Sequence, residues 1–347
     1  MRALAGGLAA LAALACSTQG VPVSELPEAP IAVVYRSPED SRRHAEMLVD
    51  QDERKLARQQ EEPPAPGEEG IARVKDIASY MKTVMTGVTG EPAGKRFPGR
   101  LGFLQPRSAR IDAVAGAWGE AVPHAWSPDR KRLLFTALVD KYAQVFELDV
   151  GSGDVRPITH GPEAHPAACY GPEGSYVLMT ARVENDEIES QIEILDGSSA
   201  SPRPLSPGPR DYAPTCAADG SAIAWVTAPS RGVEWVMARE LDASEEQEPR
   251  RLGPGRDPRF CGSGDWIVYS APIQRGTKIW RVRADGTGRA PVGRGVLDET
   301  SPACSPDGAM VVYAVTEDYV ETLYVRRIDG SGDRILYADG DASHPVW

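Results

Sequence analysis

The apolar positions of this chain fall into short runs that return at a fixed interval. Five stretches share one pattern: HAWSPDRKRLLF (124–135), ACYGPEGSYVLM (168–179), PTCAADGSAIAW (214–225), PRFCGSGDWIVY (258–269) and PACSPDGAMVVY (302–313). Each places a large or sulfur-bearing residue before a Ser/Pro/Asp/Gly turn and follows it with an apolar strand. The aligned anchors are Trp126, Tyr170, Cys216, Phe260 and Cys304, with Trp347 of the terminal HPVW as a sixth; successive gaps are 44, 46, 44, 44 and 43 residues. Every repeat has a second half of the same kind, such as YAQVFELDVGSGD or GTKIWRVRADGTG: a strand, an Asp- and Gly-bearing turn, and a short final strand. Gly accepts positive φ and Asp bonds its own backbone, so such pairs suit tight hairpins. Four short strands per period of about 44 residues is the period of a propeller blade.

The ends of the repeat set the blade count. Five full repeats plus HPVW leave a sixth blade with only its innermost strand, and the strand-like runs at 101–104 and 110–114 are placed to complete it. Closure of an N-terminal segment against the C-terminal strand removes both open sheet edges. The prediction is an all-β, six-bladed β-propeller of four-stranded blades over residues 97–347, preceded by a short helical and linker segment. Residues 16–70 read as tether and linker, with a brief apolar, strand-like run at 31–35, a charge-rich stretch at 39–62 that is either an exposed helix or disordered, and the linker EEPPAPGEEG at 61–70. Ile71, Val74, Ile77, Met81, Val84 and Met85 recur at helical spacing, which predicts a short amphipathic helix within 71–96 that packs on the following domain.

The first sixteen residues, MRALAGGLAALAALAC, have the basic start, apolar run and small-residue cleavage pattern of a secretory signal. Ala-Leu-Ala-Cys resembles the lipobox of bacterial lipoproteins, which implies a signal peptide over 1–15, lipidation of Cys16 and a membrane tether. Ser17 after Cys16 is compatible, by the same resemblance, with the periplasmic side of the outer membrane. The repeats carry a resemblance as well. Trp126-Ser127-Pro128-Asp129, Ser305-Pro306-Asp307-Gly308 and His344-Pro345-Val346-Trp347 resemble the WSPDG-type repeats of the TolB-like β-propellers. That family's namesake carries a separate α/β domain before its propeller, whereas residues 17–96 here offer little room for one.

Charge narrows the function classes. Among 347 residues, 50 Asp and Glu stand against 38 Lys and Arg, a net charge of −12. Residues 97–347 hold 36 of the acids and 26 of the bases, so −10 belongs to the propeller. Sequence-independent nucleic-acid binding needs clustered Lys and Arg, and this balance argues against it. GxSxG, HExxH, P-loop and dinucleotide-binding fingerprints are absent from the sequence.

Candidate chemistry is sparse. Cys169, Cys216, Cys261 and Cys304 sit at or beside the repeat anchor, in different blades. Face-packed sheets lie about 10 Å apart and a disulfide needs Cα atoms within about 7 Å, so the four read as small buried hydrophobes in place of Trp. His124, His165 and His344 lie where blades one, two and six begin. Convergence of these imidazoles on one rim would form a metal-binding or channel-mouth site, with Asp298 and Glu299 as further channel-mouth candidates. The blander reading makes His-Pro part of the repeat turn. The expected function is a non-enzymatic, monomeric envelope lipoprotein, without cofactor, whose propeller binds an envelope protein, peptide or cell-wall component. The alternative is a periplasmic carbohydrate lyase or hydrolase with a metal at the channel mouth.

Overall fold

The strands of each repeat are apolar on both faces because each sheet is sandwiched between two others. In the strand Arg132–Val139, Leu133, Phe135 and Ala137 pack with Ala32, Leu101 and Val346 of one neighbouring sheet. Leu134 points the other way and packs with Ala168, Tyr170 and Leu178 of the next sheet. In Met310–Glu317 the same alternation sends Val311, Tyr313 and Val315 toward Val268 and Ile279 on one side. Met310, Val312 and Ala314 go toward Ile31, Val33 and Trp347 on the other. Side chains alternate with period two, so a doubly covered strand needs apolar residues at every position.

A computed structural model describes residues 20–61, 99–114, 121–140, 142–184, 187–196, 201–230, 232–241, 247–262, 264–293 and 298–347. It holds six four-stranded antiparallel sheets. Blades one to five span 122–157, 164–204, 211–254, 256–291 and 299–337, and their first strands touch in succession around a ring. The Ser-Pro-Asp turns owe their recurrence to side-chain bonding. Ser127 Oγ donates to Asp129 Oδ1 at 2.6 Å and accepts from Arg132 N at 2.9 Å, while Asp129 accepts from Lys131 N at 3.2 Å. Ser305, Asp307, Ala309 and Met310 repeat this pattern in blade five. Such bonds satisfy the backbone of the five-residue connection between first and second strands locally.

The sixth blade closes the ring. Its strands run, from the inside outward, Asp341–Val346, Ile31–Arg36, Arg100–Gln105 and Arg110–Ala113. The C-terminal strand is therefore innermost, as the repeat arithmetic predicts. Placing 31–35 in the tether differs from the structure: Ile31–Arg36 is the blade's second strand, with Ile31, Ala32, Val33 and Val34 all buried. A run apolar at every position needs cover on both faces, and only the interior of the ring provides it. Arg130 and Trp347 bond back to this N-terminal segment, at the carbonyls of Pro30 (3.1 Å) and Ala29 (3.0 Å).

A helix, α1, spans Pro38–Glu61. Ser37 caps it, accepting from Asp40 N at 3.2 Å, and the pairs Glu39–Arg43 and Asp50–Arg54 run i to i+4 along it. It takes the place of the hairpin between the second and third strands of blade six. Among the described residues, no helix is long and apolar enough to cross a membrane. The signal peptide 1–15, Cys16 and the amphipathic segment 71–96 lie outside the described residues.

The cysteines overturn the expectation. Cys169 is bonded to Cys216 and Cys261 to Cys304, with Cα separations of 5.7 and 5.0 Å. The 10 Å spacing applies to sheets stacked face to face, whereas the first strands of successive blades converge on the ring's axis. There, repeat-equivalent cysteines of adjacent blades come within bonding reach. The two disulfides clip blade two to three and blade four to five.

Candidate functional site: the central channel and its mouth

The six innermost strands wall a channel, and each breaks its hydrogen-bond register near its start. Breaks lie at 123–125, 164–167, 212–215, 256–259 and 300–303, with the sixth opposite Ala32 and Val34. A proline occupies every one of these regions, and since it has no N–H it is tolerated on this edge strand, where one side of the ladder is unpaired. In blades three to six the residue before it, Ala213, Asp257, Ser301 or His344, holds φ of 51°, 53°, 49° and 50°. A left-handed bulge in four successive blades is a built feature of the wall, which swings those side chains out of the sheet pattern.

Two of the three histidines meet; the third does not. His124 accepts or donates at Thr136 Oγ1 (2.9 Å), and its pKa is pushed down to about 3, chiefly by burial and then by the charges of Arg259 and His344. His344 lies exposed on the innermost strand of blade six and bonds Ser343 Oγ at 3.1 Å. Arg259 comes from blade four, on the far side of the ring from blade one, so opposite walls contribute to one cluster. His165 is 5 % exposed and turned into blade two, 3.3 Å from Thr180 Oγ1 and near Glu193 and Arg182. The three-imidazole metal site is therefore not formed: the left-handed φ that projects His344 is absent at His165, although blade two also breaks register there. Among the described residues, no group of three or more His, Cys, Asp and Glu is placed to hold a metal ion.

Asp298 and Glu299 also have a different place from the one expected. Asp298 Oδ1 accepts from Thr277 N at 2.9 Å, and Glu299 Oε2 accepts from Ile279 N at 3.1 Å. Both bonds reach the third strand of blade four, so these carboxylates staple blade five to its neighbour. Asp341 does the same one blade on, accepting from Glu321 N at 3.0 Å.

The Asp341 staple forms a charged cluster beside the channel. Arg36 pairs with Asp341 at 2.5 Å, and His44 of α1 lies near both, its pKa lowered by burial and by Arg36. Glu321 is pushed up to about 7, mainly by burial and then by Asp341, against a hydrogen bond from Ser343. The folded carboxyl therefore keeps its proton to a higher pH than in the unfolded chain. This contribution is fully present below about pH 4.5 and is lost as pH rises through about 7. Glu321→Gln is expected to stabilise the protein by about 1–3 kcal/mol near pH 8 and to leave it unchanged near pH 4. Urea unfolding at both pH values checks this; an equal effect at the two would remove the assignment.

The mouth has a rim of its own. Hairpins between second and third strands stand on the face where the innermost strands begin, and they carry apolar residues in the open. Leu138 and Val139 stand on blade one, Val183 on blade two, Val233 on blade three and Tyr319 on blade five, with Val183 65 % exposed. Helix α1 occupies the equivalent position on blade six and meets this rim, with Tyr319 Oη donating to Asp52 at 2.5 Å.

Comparison with known proteins agrees on the architecture. TolB from Acinetobacter baumannii superposes with a TM-score of 0.63 at 17 % identity, over 92 % of this chain and 66 % of that one. A putative TolB from Agrobacterium tumefaciens gives 0.55 at 21 % identity, over 67 % of this chain and 86 % of that one. In sequence, the Tol-Pal system protein TolB of Geobacter sulfurreducens is 36 % identical over 73 residues, 21 % of this chain and 17 % of that protein. The match spans about a sixth of that relative's length. No family model matches the chain. The fold is a six-bladed, TolB-like β-propeller.

Arg259 is a residue of the innermost strand of blade four that composition and motif reading did not single out. A signal was available: it follows Pro258 as His124 follows Pro123. Of the six residues after the bulge prolines (His124, Ala167, Thr215, Arg259, Ala303 and Val346), it alone carries a permanent charge.

Proposed function

We propose that this chain is an envelope protein-binding scaffold with a Tol-Pal-type role, which docks a partner protein on the channel-mouth face. The observation that carries the reading is the rim of exposed apolar hairpin tips around a channel. Isolated apolar residues on a surface need no explanation, but repetition at the same hairpin in four blades of one face marks an interaction surface. A rigid ring that presents loops on one side is suited to this work. Support for the compartment comes from the two disulfides, which persist in oxidising surroundings such as the bacterial periplasm, and from the signal-like first sixteen residues. In this reading Cys16 carries the lipid and holds the propeller at the periplasmic side of the outer membrane. The carbohydrate-enzyme alternative drew its residue-level support from three converging imidazoles, and that support is gone.

Crosslinking and pull-down from envelope fractions with the native anchor test the proposal. Val139→Asp, Val183→Asp and Val233→Asp together are expected to cut capture of the specific partner about ten-fold, since losing central apolar anchors costs more than 1 kcal/mol. The melting temperature should stay where it is. Undiminished capture by the triple variant would overturn the assignment of this face. In the same fractions Cys16→Ser should release the protein from membranes.

A further inference from the structure

We infer that the propeller is seated on the anionic headgroup surface of its own membrane by the face opposite the channel mouth. Blades four and five lie lowermost, and the apolar rim points away from the bilayer. The inference rests on the reading of Cys16 as the lipid anchor and adds which face that anchor holds down.

The tether is shorter than the ring is tall. The described residues begin at Gly20, four positions after Cys16, and four residues span at most about 14 Å. Eight-residue strands such as Arg132–Val139 make the ring about 27 Å from face to face. Gly20 lies on the hairpin between the third and fourth strands of blade five, where a Cβ would come within 2.7 Å of the Asp333 carbonyl oxygen. That hairpin stands opposite the mouth, because third strands run from the mouth hairpins to the far face. The exit point is clamped. Val21 and Leu26 are buried with Leu323, Val325 and Leu336, and the Val21 carbonyl accepts from Arg334 Nη1 at 3.2 Å. Arg327 Nη2 donates to Glu25 at 2.6 Å. With the mouth turned down, the anchor would fall short of the bilayer by about half the height of the ring.

Charge selects the sector that settles. Residues 256–291 of blade four hold seven Arg and Lys against three Asp, a net +4. Blades three and five on either side hold four against eight and three against seven, −4 each. At the far end of blade four's third strand, Arg281 and Arg283 stack on Trp266 at 4.7 and 5.0 Å, and Arg289 of the following hairpin stacks on Trp280 at 4.5 Å. Arg283 and Arg289 are exposed, and Arg281 Nη1 donates to the Ile328 carbonyl at 2.9 Å, which joins this sector to the hairpin that holds Gly20. A guanidinium stacked on an indole keeps N–H edges free for a phosphodiester. Arg and Trp both suit a headgroup layer, with an apolar body and a polar edge. Asp265 and Asp285 lie in the same loops, so the local excess is small. The tether supplies proximity, and the charge then decides the tilt.

The test places the lipidated full chain in vesicles of phosphatidylethanolamine and phosphatidylglycerol that carry a headgroup-linked quencher. A fluorophore is attached to one introduced cysteine at a time: Ser331→Cys or Thr287→Cys opposite the mouth, Glu317→Cys or Ser230→Cys at the mouth. Quenching at the first two should exceed that at the last two by at least about two-fold, because a strand's length separates the sets. Exchange of phosphatidylglycerol for phosphatidylcholine, or Arg283→Glu with Arg289→Glu, should lower quenching at Thr287→Cys about two-fold and leave Ser331→Cys unchanged. Equal quenching on the two faces, or stronger quenching at the mouth, overturns the inference. So does a Thr287→Cys signal indifferent to lipid charge, which would return blade four to an acidic protein partner. The mass of the N-terminal peptide and vesicle flotation of Cys16→Ser read the anchor separately. An acylated Cys16 with the mouth probes against the bilayer keeps the anchor and removes the seating, whereas an unmodified Cys16 removes both. Failure of partner capture with the probes quenched as expected removes the scaffold reading and keeps the seating.

Discussion

Removal of the last four residues, HPVW, is expected to abolish cooperative unfolding of the whole propeller rather than to fray one end. Val346 and Trp347 are each 6 % exposed, and they belong to different core clusters on the two faces of blade six. Deleting a buried Trp side chain costs about 3–5 kcal/mol and a Val about 1.5–3 kcal/mol. The loss spreads beyond these side chains. Trp126 Nε1 donates to the Val346 carbonyl at 3.0 Å, and Trp347 Nε1 to the Ala29 carbonyl at 3.0 Å, so the anchors of blades one and six are tied through this strand. Leaving such a buried donor unpaired adds about 1–3 kcal/mol. The sum is comparable with the whole stability of a domain, about 5–15 kcal/mol. It also exposes the edge of Ile31–Arg36 and opens the ring. Circular dichroism melts of the full and truncated chains check this, and an unchanged melting temperature would refute closure by the C-terminal strand.

Reduction of the disulfides should produce the second large effect. The bonded pairs are 47 and 43 residues apart. On the chain-entropy account a loop of that size contributes about 4 kcal/mol per bridge by restricting the unfolded chain. Guanidinium unfolding with and without dithiothreitol should therefore differ substantially, and Cys261→Ala with Cys304→Ala should reproduce about half the loss. Peptide mapping without reduction should recover Cys169 linked to Cys216 and Cys261 to Cys304. Four free thiols in protein isolated from an oxidising compartment, or identical unfolding in both conditions, would defeat the expectation.

Particular residues mark how far the sequence could be read. The blades were legible because two local rules coincide every 44 or so residues. Runs such as Leu133 to Ala137 bury both faces, and turns such as Ser127 to Asp129 bond their own backbone. The closing scheme was legible for the same reason, since HPVW repeats an anchor without the rest of its blade. Ile31–Arg36 was harder, because a strand 64 residues before its partner Arg100–Gln105 carries no repeat mark, only an unbroken apolar run. The capped helix α1 fills most of the described part of that insertion, the exposed-helix alternative of the two that its charge-rich composition left open.

The candidate site was legible in its residue types but not in its grouping. His124 and His344 were singled out, yet the company they keep comes from Arg259, across the ring and 135 residues from His124. His165 shares the His-Pro signature with His344 but lacks the left-handed φ of 50° that turns His344 into the channel. Asp298 and Glu299 were placed at the mouth by their position, and their carboxylates are spent on the backbone of blade four.

The period, the blade count, the chain reversals and the strand that closes the ring are all written into the order of residues, because each depends on contacts within one repeat or on counting repeats. Radius was left to the tertiary structure. Equivalent positions in a linear repeat are about 44 residues apart, but on a closed ring their separation shrinks toward the axis. Near the axis, cysteines assigned to separate layers lie 5.0 and 5.7 Å apart at their Cα atoms and form bridges. There too, opposite blades bring Arg259, His124 and His344 onto the walls of a single channel.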